Sequence, residues 1–322
     1  SYRSDSMATL DWYVRAGMKL RHLQILVALD DLGKTGKVAA LFNVSQPAIS
    51  KALGELQAGL STKLFERTPR GLVATPGGEC LIRHARTLLA TLREAGEELH
   101  AITHDAPGKI RIGVLPATAA ALLPASLVKL KTASPALTVF VREGTMDTLL
   151  QELRSGGIEI VVGTLPRQKG VAGLDEEELY GDRTRLVVRP RHPLLRRKTL
   201  QWTELARYPW VLPPIDSLLH DSLMDACRKN GMPAPVSVVE TLSVSVIREY
   251  LATWDAIASL PESLALRLDS QDVIRPLPVD LPPLVRPVGM TWLRSRAQTT
   301  SAKLLMACMR EAAAEIVQSL PK

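Results

Sequence analysis

The stretch Val44-Ser45-Gln46-Pro47-Ala48-Ile49-Ser50-Lys51-Ala52-Leu53 decides the fold of the N-terminal part of the chain. Ser45 is a favourable N-cap residue, and Pro47 falls in the first helical turn, where a missing N–H costs nothing. Ile49, Leu53 and Leu56 then recur at spacings of three and four, which predicts a helix from Ser45 to about Gln57 with one apolar face. On its N-terminal side, Asn43-Val44 makes a tight turn. Before it, Gly36 to Phe42 reads as a short helix with Val38, Ala39, Leu41 and Phe42 inward. Met18 to Asp31 carries Leu20, Leu23, Ile25, Leu26, Val27 and Leu29, a helical stripe that Gly33 ends. On the C-terminal side, Leu64–Thr68 and Leu72–Ala74 read as two strands joined by Pro69-Arg70-Gly71. Ser-Gln-Pro before an apolar run starts a helix in any protein. The helix before it and the hairpin after it make the unit a winged helix-turn-helix, which binds DNA.

In that motif class the second helix offers its N-terminal end to base edges. Gln46 suits a bidentate pair with adenine, and Pro47 and Ala48 suit a thymine methyl. Ser50 and Lys51 lie opposite Ile49 and Leu53 and reach bases or phosphates. Ser45 is expected to cap the helix and to reach a phosphate. Arg67 and Arg70 of the wing are candidates for the minor groove or for phosphate neutralisation. For Lys34 and Lys37, a phosphate contact and a solvated helix surface are both open.

Thr75-Pro76 starts the next helix, with Thr as cap and Pro at the first position. It runs to about His104, and Leu81, Ile82, Ala85, Leu88, Leu89, Leu92, Ala95 and Leu99 repeat at three and four. A helix of this length outside a compact domain needs a second helix to cover its apolar side, so self-association is expected there. Pro107-Gly108 is a hinge. Beyond it the pattern becomes α/β: strand 109–114, helix 122–132, strand 137–143, helix 147–155 and strand 158–163, which implies a parallel sheet. A second lobe opens at Arg185–Val188 and continues through strand 210–212, helix 218–229, strand 237–240, helix 245–253 and strand 256–259. Val285–Leu293 reads as a strand returning to the first lobe, and Ser301–Ser319 as a final helix.

The expected fold class is therefore α+β and multi-domain. Residues 1–17 form an N-terminal extension, with Ser1–Ser6 ahead of Met7 set aside as a remnant. Residues 18–75 form the winged helix-turn-helix, 76–106 the linker and dimerisation helix, and 107–322 a two-lobed α/β effector-binding domain. Its first lobe takes about 109–181 and 276–322, and its second about 182–275. Ligands of such domains sit beyond the C-terminal strand ends. That singles out Ala117 and Thr118, Thr145 and Met146, and Leu165 and Pro166 in the first lobe, and Ile215, Asp216, Thr241 and Ser243 in the second. Hydroxyls at Thr118, Thr145 and Ser243 suit a carboxylate or a polyol, or merely cap their own helices. Asp216 favours a hydroxylated ligand.

Composition narrows the class further. The chain has 322 residues and a net charge of +7, which suits a polyanionic partner. No run of about 18 apolar residues exists, so no membrane span is expected. Ser1–Gly17 lacks an apolar core segment, so no signal peptide and a cytoplasmic location are expected. Three dispersed cysteines, Cys80, Cys227 and Cys308, support neither a disulfide framework nor a zinc site. No cofactor, metal or catalytic set is expected: G-x-S-x-G, P-loop and G-x-G-x-x-G motifs are all missing, and His192 stands in a Pro/Arg-rich turn without a partner acid. Two rivals remain: a redox-sensing regulator using Cys227 and Cys308, which core packing explains better, and an α/β enzyme.

Residues 18–104 resemble the LysR-type transcriptional regulator family. The resemblance is carried by Lys19-Leu20-Arg21-His22-Leu23, Val38-Ala39-Ala40, Val44–Ser50, Leu64–Thr68, Arg70-Gly71 and Thr75-Pro76-Gly77-Gly78, in that order. Weaker markers follow at Gly113, Arg191-His192-Pro193-Leu194 and Ala256–Pro261. Leu10–Arg15 is similar to the branch containing the galactose-binding-protein regulator and regulators of aromatic-acid catabolism. Thr35, Lys34 and Gly36 depart from the family pattern and weaken the entrance to the short helix. The resemblance implies a periplasmic-binding-protein-like effector domain, operator DNA as partner, and a dimer or tetramer. It also implies contact with RNA polymerase, and a sugar, sugar acid or aromatic acid between the lobes that shifts the DNA-bound state.

Overall fold

The computed structural model describes residues 13, 17–69, 71–104, 108–165, 173–215, 217–235, 237–279, 281 and 285–321. Arg70, Pro166, Asp216, Pro107 and the extension other than Tyr13 and Gly17 lie outside the described residues. The chain divides into two compact units, Ser1–Ala106 with Arg154–Gly157, and Pro107–Leu153 with Ile158–Lys322.

The first unit is built on α1 (Leu20–Leu32), α2 (Thr35–Leu41) and α3 (Gln46–Gly59), followed by β1 (Phe65–Thr68), β2 (Gly71–Ala74) and α4 (Pro76–His104). Leu23, Leu26 and Leu29 of α1, Val38 and Ala39 of α2, Ile49 and Leu56 of α3, and Ile82 and Ala85 of α4 share one core. The sequence stripe was thus an apolar face with the expected spacing. Arg86 of α4 reaches Asp30 at 2.9 Å and Asp31 at 2.5 Å, tying α4 to the end of α1. Thr75 caps α4 as expected, its hydroxyl accepting from the Gly78 N–H at 3.1 Å.

Ser45 is a correction. It occupies the N-cap of α3 with extended backbone, but its hydroxyl accepts no bond from the helix. A capping side chain accepts from the second or third helical N–H. Pro47 has none to give, and the Ala48 N–H already bonds to the Ser45 carbonyl at 3.0 Å. Pro47 thus removes one of the two usual targets of the cap.

The wing is anchored at both ends. The Gln57 carbonyl Oε1 accepts from the backbone N–H of Leu64 at 2.8 Å and of Phe65 at 3.4 Å, fixing where β1 leaves α3. The strands pair antiparallel from Phe65↔Ala74 to Thr68↔Gly71. The Leu72 N–H bonds to the Gly33 carbonyl at 2.8 Å, so β2 rests on the C-terminal cap of α1. Gly71 has φ +131°, and a Cβ there would lie 2.4 Å from the Gly33 oxygen.

The second unit contains two five-stranded sheets. The first has the order β4 (Thr138–Glu143), β3 (Lys109–Val114), β5 (Ile160–Thr164), β12 (Arg286–Leu293), β6 (Leu174–Asp182). β3, β4 and β5 are parallel, and β12 runs antiparallel between β5 and β6. Helices α5 (Pro116–Ala121), α6 (Leu123–Ala133), α7 (Met146–Arg154) and α12 (Thr300–Ser319) belong to this lobe. α6 and α12 pack Leu130, Leu305 and Met309 onto Ile110, Ile112 and Met290. The second sheet has the order β11 (Arg275–Pro276), β7 (Thr184–Val188), β10 (Ile257–Pro261), β8 (Trp210–Leu212), β9 (Val238–Glu240). Helices α8 (Trp202–Leu205), α9 (Leu218–Lys229), α10 (Val244–Thr253) and α11 (Glu262–Ser270) complete it. Separate apolar clusters involve α10 and α11 on one side, and Trp210, Leu223 and Cys227 on the other.

The βαβαβ halves and the returning strand agree with the sequence pattern. β6, α5, α8 and α11 were not foreseen. β6 reads Leu-Asp-Glu-Glu-Glu-Leu-Tyr-Gly-Asp and, as an edge strand, buries only Leu174, Tyr180 and Asp182. A bulge opposite Val288/Gly289 further breaks its alternation.

Gly71→Ala is expected to lower the stability of the first unit by about 2 kcal/mol, because both the positive φ and the Gly33 carbonyl oppose a side chain. Thermal denaturation followed by circular dichroism reads this. A melting curve superimposable on the parent's would show that the wing is not seated on the α1 cap.

Candidate nucleic-acid interface and ligand cavity

Ser45, Gln46, Pro47, Ala48, Ser50 and Lys51 are all exposed at the start of α3, while Ile49 faces the core. Six candidates, interrupted only by buried Ile49, therefore share the solvent-facing end of one helix. Gln46 Nε2 donates to Thr35 Oγ1 at 3.1 Å, which orients the amide and ties the starts of α2 and α3 together. Thr35, a departure from the family pattern, is thus a positioning partner of Gln46. Lys51 approaches Glu55 only at 3.9 Å, an exposed i,i+4 pair of little strength. Arg67 is exposed on β1 and Lys34 precedes α2.

In the second unit a cavity of about 70 Å³ lies where the lobes meet. Leu115, Ala117, Thr118 and Thr164 line it from the C-terminal ends of β3 and β5. Tyr180, Asp182, Arg286 and Val288 come from the β6–β12 ribbon. Arg183, Thr184, Leu219, Pro261 and Ser263 come from the second lobe and the crossing to it. Arg183 is the single residue between β6 and β7. Its carbonyl accepts from the Glu262 N–H at 2.7 Å. Asp182 is 5 % exposed. Its Oδ1 accepts from the Ser263 N–H at 3.1 Å and its Oδ2 from the Ser263 hydroxyl at 2.5 Å. The N-cap of α11 is Pro261, which has no side-chain acceptor, so a carboxylate from the other lobe serves the first turn.

Burial raises the Asp182 pKa above its ordinary value, against the lowering effect of the Ser263 bonds. Burial also raises that of the Tyr180 phenol, with the Asp182 charge adding to it. Beside the cavity, Arg185 donates to Glu262 through Nε at 2.7 Å, and Glu262 is 3 % exposed. That buried charge is therefore paired.

Of the effector residues inferred from sequence, the structure brings Ala117 and Thr118 into the cavity. Thr145, Met146, Leu165, Ile215, Thr241 and Ser243 do not line it. Strand order explains this. Thr145 and Met146 follow β4, and Thr241 and Ser243 follow β9, each the far edge of its sheet. Thr145 Oγ1 pairs with Thr148 at 3.0 Å, and Ser243 Oγ accepts from the Val246 N–H at 3.4 Å, so these hydroxyls cap their own helices. Leu165 is buried, Met146 packs beside Leu149, and Ile215 is exposed with its N–H on Glu240 at 3.2 Å. The residues missed, Tyr180 to Thr184, Ser263 and Arg286, lie along the crossing from β6 to β7, in the first turn of α11 and at the start of β12. Attention to parallel strand ends passes over them.

The other singled-out side chains are structural. His192 follows a turn, as its Pro/Arg-rich surroundings suggest, but is fully buried: its Nδ1 accepts from the Leu194 N–H at 3.2 Å, and its ring lies 4.7 Å from that of Tyr208. Cys227 and Cys308 belong to different cores, one in each lobe. Burial pushes the Cys227 thiol up to about 11 and raises Cys308 as well, so neither is an activated thiolate. Among the described residues no cluster of three or more His, Cys, Asp or Glu is placed to hold a metal, and no helix is long and apolar enough to cross a membrane.

Two family models match the chain: the bacterial regulatory helix-turn-helix of the lysR family over residues 20–79, and the LysR substrate binding domain over residues 104–314. The chain belongs to the LysR family. It is 34% identical over 303 residues to the HTH-type transcriptional regulator GbpR of Azospirillum brasilense, covering 94% of this chain and 89% of that protein. It is 32% identical over 302 residues to the regulator PcaQ of Agrobacterium fabrum, covering 93% and 96%. Full-length CbnR in complex with its target DNA shares the fold, with a TM-score of 0.64 at 20% identity, over 93% of this chain and 100% of that one. These matches are to transcription regulators and not to enzymes. As a LysR regulator the protein is a DNA-binding transcription regulator with a helix-turn-helix and an effector-binding domain, in the branch of GbpR and PcaQ.

The raised Asp182 pKa carries a sign. Folding takes up a proton between the ordinary carboxylate value and the raised one, so stability falls as pH rises through that interval. Asp182→Asn removes the titration while keeping an acceptor for Ser263. Melting temperatures from pH 4 to 7 are expected to decline more steeply in the parent than in the variant. Parallel curves would show that Asp182 titrates at its ordinary value.

Proposed function

We propose that this LysR regulator reads its operator through the exposed start of α3, with Ser45, Gln46, Pro47, Ala48, Ser50 and Lys51 at the major groove. Arg67 and Arg70 of the wing, with Lys34, contact phosphate or the minor groove. The observation that carries this is the solvent-facing cluster at one helix end, beside a wing fixed by Gln57 and Gly71. Base contacts confer specificity and phosphate contacts confer general affinity. After in-vitro selection of a cognate site by the purified protein, Gln46→Ala is expected to lose about tenfold in discrimination at one base position. Arg67→Ala is expected to weaken binding to all sequences alike and to reduce the salt dependence. If both variants footprint as the parent does, the motif docks in another orientation.

The protein works as an oligomer through the linker helix at residues 76–106. Leu88, Leu92 and Leu99 of α4 are 53%, 53% and 61% exposed, and their spacings of four and seven place them on one side of the helix. A second α4 covers that stripe, and two such dimers make the tetramer. Leu88→Glu with Leu92→Glu is expected to halve the mass seen by light scattering or to reduce it further, with unchanged helical content. An unaltered mass would move the interface elsewhere.

The effector binds where the two lobes meet, at Ala117, Thr118 and the β6–β12 ribbon. The cavity of about 70 Å³ is well below the roughly 300–1,000 Å³ usual for small-molecule sites. Binding therefore parts the lobes and selects a different closure, which the oligomer passes to the DNA. Thr145, Met146, Leu165, Ile215, Thr241 and Ser243, which do not line the cavity, are left out of this reading, and Pro166 and Asp216 lie outside the described residues. The DNA-bound regulator acts in the cytoplasm with RNA polymerase as its further partner.

A further inference from the structure

We propose that Tyr13 is a positioning residue for DNA recognition: it clamps the last turn of α3 and, through Gln57, the wing. The proposal rests on reading the start of α3 and the wing as the operator-binding surface. Tyr13 precedes the matched helix-turn-helix, which begins at residue 20. Its hydroxyl donates to the Glu55 carbonyl at 3.3 Å, and its ring packs against the core of the first unit. The Met18 N–H bonds to the Tyr13 carbonyl at 2.9 Å and ties the residue to the chain just ahead of α1. Two glycines make the seat of the ring. A Cβ at Gly17 would lie 2.5 Å from Tyr13 Cδ2, and one at Gly59 would overlap Cε2, Cζ and Cδ2 of the same ring. Neither glycine has a positive φ, so it is the ring, not the backbone, that requires them to lack a side chain.

This end of α3 is weak without a clamp. Gly54 and Gly59 both lie within the helix, and only proline is a poorer helix former. The chain then leaves through Ser61 in a left-handed conformation, φ +48°, where glycine is the usual occupant. The Leu60 N–H bonds to the Leu56 carbonyl at 3.1 Å, and the Thr62 N–H to that of Gln57 at 3.0 Å. Gln57 therefore belongs to the turn that frays first, and its side chain is the one that holds Leu64 and Phe65 at the start of the wing. Tyr13 meets the helix at residues 55 and 59, on either side of Gln57 in sequence. A loose turn would be ordered only on binding, and that cost would fall on the affinity. With the turn fixed, the wing and the exposed start of α3 meet a duplex in one prepared geometry.

The test uses the full-length protein, fluorescence anisotropy on the site selected in vitro and on a scrambled duplex, and melting followed by circular dichroism. Binding is measured well below the melting transition, at the parent's helical content. Tyr13→Ala is expected to weaken binding to the selected site about tenfold, and to the scrambled duplex less. Tyr13→Phe, which keeps the ring and loses one hydrogen bond, is expected to lose about fivefold or less. Gln57→Ala is expected to weaken binding as Tyr13→Ala does, and adding Tyr13→Ala to it to cost little more, because one residue acts through the other. Gly54→Ala, where a Cβ meets open space, is expected to raise the melting temperature as helix propensity dictates. Gly59→Ala is expected to lower it and to weaken binding, and in the Tyr13→Ala background to raise it instead. Tyr13→Ala binding as the parent does, whatever its melting temperature, would overturn the proposal. So would a Gly59→Ala that stabilises the parent as Gly54→Ala does, or Tyr13 and Gln57 losses that add in full. Gly59→Ala keeps the tyrosine, so the test stands even if Tyr13→Ala fails to fold. If Gln46→Ala and Arg67→Ala also bind as the parent does, the operator-surface reading fails and the clamp with it. If they lose binding while Tyr13→Ala does not, that reading stands and only the role of Tyr13 falls.

Discussion

The bond between Asp182 and Ser263 is the constraint on which the second unit depends. It joins the edge strand of one lobe to the first turn of a helix in the other, at the single-residue crossing where β6 becomes β7. α11 begins after a proline and so has no cap of its own. Leaving its first N–H groups unpaired in a buried position would cost about 1–3 kcal/mol each. The chain meets that cost with a carboxylate from the neighbouring lobe, and in doing so fixes a negative charge, the Tyr180 hydroxyl and Arg286 around one small space. One side chain thus meets a capping requirement in the other lobe and lines the cavity between them.

The first unit depends on an analogous economy of contacts. One residue, Gly33, ends α1 through its N–H, which donates to the Leu29 carbonyl, and receives the wing through its own carbonyl. One amide side chain, that of Gln57, ends α3 and starts β1. The recognition helix and the wing are therefore not independently placed: a shift of α3 along its axis carries β1 with it through Gln57. That coupling holds the exposed start of α3 and Arg67 of the wing in one fixed register. Thr35 and Gln46 extend it to α2. A departure from the family pattern at position 35 thus supplies a hydroxyl that holds the residue most directly suited to reading a base.

Much of this was legible in the sequence, for particular physical reasons. Helical periodicity at Leu23, Leu26 and Leu29, the Pro47 and Pro76 starts and the Gly33 stop are local signals, and the structure honours them. The residues around the cavity were not legible. Asp182, Ser263 and Arg286 are distant in sequence and meet only because β12 inserts antiparallel between β5 and β6 and the chain crosses lobes. Nothing local marks Asp182 as a cap for a helix that begins 80 residues later. Hydroxyls beside helix starts, at Thr145 and Ser243, cap their own helices and do not line the cavity. The same local pattern serves capping and ligand binding, and only strand order separates them: edge strands lead away from the centre of the cleft.

The same geometry bears on how a small ligand changes a large assembly. Moving a two-state equilibrium from mostly one form to mostly the other needs about 5.5 kcal/mol of differential binding. Hydrogen bonds to charged groups supply roughly 1.5–3 kcal/mol each, so two or three made in one closure state and not in the other suffice. The cavity places polar groups on both sides of the crossing: Asp182 and Arg286 belong to the first sheet, and Ser263 to the helix that Asp182 caps. The contact between Asp182 and Ser263, which holds the lobes at their crossing, stands at the wall of this same cavity, so a change in the cavity's contents bears directly on closure with no separate relay.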